Sequence, residues 1–114
     1  MDEKISIAKS GRIIRIKVKG LRGLSKFIGL MFKKRSVGNL LFEFENDVKI
    51  PFHSFFVFFS FLIIWIDEDN KVLGWKVIKP FTFRIIPERE FRKVIEIPFN
   101  DGNMKIIDFV TKNF

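Results

Sequence analysis

The 114-residue chain has no cysteine. That excludes a disulfide scaffold, a Cys-based zinc site and a thiol nucleophile. Its one histidine, His53, excludes His-rich metal sites and paired-His chemistry. Tyrosine and glutamine are absent, and alanine occurs once, at Ala8. The scarcity of thermolabile residues beside abundant Lys fits a heat-adapted source. Acid is missing over a long stretch: between Lys4 and Phe42 there is no Asp or Glu, against eleven Lys and Arg. The N-terminus has no apolar h-region and no Arg-rich amphipathic presequence, so a cytoplasmic location is expected. No internal repeat, linker or low-complexity tract breaks the chain, and a single domain over 1–114 is expected.

Hydrophobic residues make up 47% of the sequence, too many for disorder, and sixteen of them are Phe. The formal charge is +8. A field of one sign attracts polyanions or anionic lipid, and equally keeps a small domain in solution. Residues 51–70 reverse the pattern, with no Lys or Arg and three acids, Asp67, Glu68 and Asp69. Ile50–Ile66 is uncharged and touches the lower length limit of a membrane span, about 17 residues. Pro51, His53, Ser54 and Ser60, with β-favouring neighbours, argue for buried strands instead. No integral membrane span is expected.

Residues 12–19 alternate Ile14, Ile16 and Val18 with Arg15, Lys17 and Lys19, the pattern of a half-buried strand. Leu21, Leu24, Ile28 and Met31 at helical spacing predict one short helix over about Leu24–Lys34, capped by Ser25. Strands are predicted at Leu40–Phe44, Val48–Phe56 and Phe58–Ile66, the last buried on both faces. Asp67-Glu68-Asp69-Asn70 reads as a hairpin turn leading into Lys71–Lys79. Phe81–Ile86, Lys93–Ile97 and Met104–Val110 complete the set. The fold expected is mainly β: a compact sandwich or barrel-like domain of about eight short strands with one short helix.

Little here points to catalysis. The acidic turn lacks the Gly and closing Glu of a calcium loop. There is no nucleophile elbow and no Gly-rich phosphate loop. Glu43 and Glu45 share a strand face, which fits a general acid/base pair and surface charges equally. The bases Lys26, Lys33, Lys34 and Arg35 interleave with Phe27 and Phe32, which makes them a candidate anion-binding patch. Binding there would be weak, non-specific and steeply salt-dependent, because nothing reads a base edge.

Several pieces in order resemble one family. Gly29-Leu30-Met31, a basic stretch, then Gly38 and Leu40-Leu41-Phe42 are similar to the G-L-M…L-F motif of the family catalogued as domain of unknown function 192. His53 to Asp67 resembles its H-T-F-F-M-R-F-P-I-D-V-I-F-L-D strand. Asn70-Lys71-Val72, Ile78-Lys79-Pro80-Phe81 and Val94-Ile95-Glu96-Ile97-Pro98 are similar to its D-G-x-V, V-x-P-W and V-L-E-L-P. The resemblance spans about residues 11–110. It implies a mainly-β sandwich or barrel with one short helix, and no assigned activity. The family's Arg, Pro and Asp positions are Phe58, Ser60 and Leu62 here. On a continuous strand Phe58 and Leu62 would share a face, so His53, Phe58 and Leu62 are a candidate family-site face. Its two polar positions have turned apolar, and the face is expected to pack into the core.

The reading is a small non-catalytic binding or structural module without a cofactor. The alternatives are polyanion or nucleic-acid binding through segment 12–35, an apolar-ligand-binding β-barrel, and peripheral membrane contact. Oligomerisation through the Phe-rich strand is a further expectation.

Overall fold

The computed structural model describes residues 2–21 and 29–112. Six strands form one sheet: β1 (Asp2–Lys9), β2 (Arg12–Leu21), β3 (Asn39–Val48), β4 (Phe61–Ile66), β5 (Val72–Ile78) and β6 (Phe91–Pro98). Their spatial order is β1-β2-β3-β6-β4-β5. All neighbours are antiparallel except β2 and β3, which run parallel and are joined through residues 22–38. The sheet curls until its edges meet at one corner. There Ala8 bridges to Lys71, and the Ala8 amide donates to the Asn70 carbonyl at 2.9 Å. The result is a curled half-barrel, in agreement with the mainly-β, barrel-like expectation.

Alternation along β4 divides the interior in two. Phe61, Ile63 and Trp65 join one core with Leu40, Phe42, Phe91 and Val94. Leu62, Ile64 and Ile66 join the other with Ile5, Ile7, Ile16, Val18, Ile95 and Ile97. All six residues of β4 are buried, as its uninterrupted apolar run predicts. β4 is also flanked on both sides by paired strands, so it presents no free face or edge for a second copy. The turn after β4 forms as read: Asp67 Oδ1 accepts the amides of Asp69 and Lys71, each at 2.9 Å.

Three expectations are corrected. Met104–Val110 is a helix, α1 (Met104–Thr111), not a strand. Asn100 accepts the Asn103 amide with its side chain and starts a 3-10 turn that runs into α1. Asn103 Nδ2 anchors this start to the Pro98 carbonyl at 2.8 Å. Ile107 and Val110, three apart, then seal the second core. The β-branched residues suggested a strand; packing of a two-residue helical seam overrides that propensity.

Val48–Phe56 and Phe81–Ile86 are not strands either. They meet in one bridge, Phe52 to Ile85, and otherwise run as loops over the first core. Buried Ser54 explains the difference. Its hydroxyl donates to the Lys79 carbonyl at 2.8 Å and accepts the Thr82 amide at 2.6 Å. Such side-chain bonds replace a ladder. The strand at the N-terminus, β1, carries Ile5 and Ile7 inward and was not anticipated.

The predicted helix Leu24–Lys34 lies largely outside the described residues. Its described part, residues 29–34, is turn and irregular backbone. Among the described residues no helix is long and apolar enough to cross a membrane. Ile50–Ile66 is a loop followed by β4.

Candidate functional site

β6 is a central strand between β3 and β4, and its residues alternate between the two cores. Ile95 and Ile97 enter the second. Glu96 therefore points into the first, opposite Leu40 on one side and Ile63 on the other. It is 6% exposed. No hydrogen bond or ion pair reaches its carboxyl among the described residues. Burial pushes that carboxyl from an ordinary 4.5 up to about 8. At neutral pH Glu96 is thus a neutral acid, able to donate one hydrogen bond and accept others.

Glu96 forms part of the wall of a cavity of about 240 Å³. Phe42 and Phe61 rise from the sheet beside it, while Met31, Phe52 and His53 close in from the loops. Gly29 covers the acid from above. Its φ of +52° is a conformation that side chains disfavour, and a Cβ there would meet Glu96 Oε1 at 3.3 Å and Phe42 Cζ at 3.4 Å. A larger residue would crowd the carboxyl directly. His53 Nδ1 accepts the Phe55 amide at 3.2 Å, so the neutral ring carries its proton on Nε2.

The expected site face does not form. His53 is exposed at the cavity wall, Leu62 is 0% exposed in the opposite core, and Phe58 is 60% exposed. The strand begins at Phe61, so the two-residue alternation that would align Phe58 with Leu62 is interrupted before it reaches Phe58. The expected core placement of Phe58 is overturned. Phe58 and Leu62 therefore do not share one strand face here. Of the candidate anion patch, Lys34 and Arg35 are exposed and Lys33 is half-buried, all in the loop after Met31; Lys26 lies outside the described residues. No group of three metal-ligating side chains occurs among the described residues.

No family model matches the chain. It is similar to a UPF0127 protein of Pyrococcus furiosus, 29% identical over 90 residues, which are 77% of each chain. Two crystal structures share the fold. One, from Sinorhizobium meliloti 1021, is described as a candidate transcription regulator. It has a TM-score of 0.74 at 19% identity, with 93% of this chain and 84% of that chain covered. The other is a protein of unknown function from Novosphingobium aromaticivorans, with a TM-score of 0.74 at 13% identity, covering 92% and 78%. At such identities the likeness is one of fold alone.

Glu96 was missed as a site residue. Its signal was available: a single charge inside Val94-Ile95-Glu96-Ile97, where alternation buries both faces. A lone acid in such a run must be either paired or neutral. Gly29, Met31, His53 and Glu96 belong to separate sequence stretches, and only the fold brings them to one cavity.

Proposed function

We propose that the chain is a member of the family catalogued as domain of unknown function 192. We further propose that it is a binding module, without catalysis of its own, that takes a small apolar molecule in the Glu96 cavity. The ordered sequence pieces and the similarity to a UPF0127 protein support the first part. One observation carries the second: a buried carboxyl in an otherwise apolar cavity, protonated at neutral pH and without a partner among the described residues. A neutral acid left without a partner is costly, and a ligand that accepts its hydrogen bond removes that cost. Preformed apolar pockets with few polar groups are the usual setting for small ligands. The ligand favoured is a short aliphatic chain ending in a neutral acceptor, such as a ketone or an amide.

Nuclear magnetic resonance titration with short aliphatic ketones, alcohols and amines tests this. Ketones are expected to shift the signals of Phe42, Phe52 and Glu96 at pH 6 and to lose affinity as pH passes about 8. Glu96→Leu should weaken binding by about tenfold, the worth of one hydrogen bond. A cavity that takes none of the three classes overturns the reading.

A further inference from the structure

Half of the sixteen phenylalanines lie in three loops, residues 29–38, 49–60 and 79–87. Six of them make ring contacts in two groups, joined through the adjacent Phe55 and Phe56, and together form what we call the aromatic knob. Phe32 stacks on Phe56 at 4.9 Å between ring centroids, and Phe56 and Phe58 both meet Phe81 edge-on, at 6.1 and 5.3 Å. Phe55 meets Phe83 edge-on at 5.5 Å and lies 5.5 Å from His53 at the cavity wall. Phe32 is 68% and Phe83 76% exposed. Clustered exposed rings mark an interaction surface, whereas single ones do not.

The knob is built and held. The Phe32 amide donates to the Phe56 carbonyl at 2.8 Å, and the Phe81 amide to the Ser54 carbonyl at 2.9 Å. Phe32, Phe56 and Phe81 have φ of 61°, 58° and 58°. Bulky side chains rarely adopt this left-handed conformation, which places strain at functional positions. Three strained residues therefore carry the rings that meet at the centre of the knob.

The same loops contain no Asp or Glu, but hold Lys33, Lys34, Arg35, Lys49, Lys79 and Arg84. None of these six is in an ion pair among the described residues. We propose that this knob docks on a bilayer surface bearing anionic headgroups, with the rings entering the interface and the bases lying against the lipid charges. Apolar area and cationic attraction add in such binding. A second copy of the chain would bring two sets of these like-charged loops against each other. A nucleic acid needs open ring faces for its bases. Here Phe32, Phe56, Phe58 and Phe81 pack against one another, which leaves few of their faces open for stacking.

The test is flotation of the full chain with vesicles of phosphatidylcholine plus phosphatidylglycerol, beside vesicles of phosphatidylcholine alone. Binding is expected to the anionic vesicles, to weaken with salt, and to be at least about tenfold weaker on the neutral ones. Phe58→Ser with Phe83→Ser should lower it about tenfold or more, with an unchanged melting temperature. Lys33→Ser with Lys34→Ser and Arg35→Ser should lower it and flatten the salt dependence. Absence of vesicle binding overturns the proposal, as does equal binding to both vesicles or an unaltered double Phe variant. Binding of a single-stranded oligonucleotide, or self-association, that the Phe variants abolish while vesicles stay unbound also overturns it.

Discussion

Glu96 places a titration inside the fold. Its folded-state pKa of about 8 lies above the ordinary 4.5, so the folded chain holds a proton that the unfolded chain releases. The resulting stabilisation is complete below pH 4.5, declines as pH rises, and is gone once pH has passed about 8. The slope between these limits is about 1.4 kcal/mol per pH unit. Chemical-denaturant melts from pH 5 to 9 should show this decline, and Glu96→Gln should remove most of it. Equal pH slopes in parent and variant would refute a buried neutral acid. Phe58 gives a second contrast at this scale. Phe58→Ala should change stability by less than about 1 kcal/mol, as surface substitutions do. Phe91→Ala, 1% exposed, should cost about 3–5 kcal/mol. The same melts measure both.

Among the elements, α1 is the one whose type the sequence pattern misjudged. Its eight residues carry Ile107 and Val110 into the second core, while Met104 is 44% exposed. Ile107→Ala should therefore cost about 2–4 kcal/mol and Met104→Ala almost nothing. A strand would instead align Met104 with Val110 on one face, and the two substitutions would then reverse in order. The loops over the first core follow a different logic. Their hydrogen bonds converge on Ser54 rather than on a ladder. Ser54→Ala leaves the Lys79 carbonyl and the Thr82 amide short of a partner and should cost about 1–3 kcal/mol. That loss should appear together with altered ring contacts of Phe56 and Phe81 in nuclear magnetic resonance spectra.

Across the whole molecule, the sheet has two faces with different tasks. α1 closes one face with apolar side chains. On the other face, the loops leave a cavity over Glu96 and raise the aromatic knob. Hydrogen exchange should be slowest in β3, β4, β6 and the Val18–Leu21 end of β2, which are paired on both sides, and faster in the edge strands β1 and β5. Uniform protection across all six strands would show that the Ala8–Lys71 corner closes the barrel more firmly than a single bridge should.

By itself the sequence determined the mainly-β class, the amphipathic β2, the fully buried β4 and the hairpin into β5. Those follow from local alternation and turn chemistry, which act over a few residues. It did not determine where β4 begins, because Phe58, Phe59 and Phe61 are equally apolar; only the turn of the chain before Phe61 leaves Phe58 outside. Nor did it separate strand from helix at Met104–Thr111, where a short apolar run satisfies both periods until the cap at Asn100 and the facing core choose. The site depended most on tertiary structure. Gly29, His53 and Glu96 are far apart in the chain, and β6 has to lie between β3 and β4 before Glu96 loses its water. The three Phe-bearing loops become a surface only when the backbone bonds of Ser54 and Phe56 bring them together. Local pattern fixes what each segment is; desolvation and clustering belong to the assembled fold.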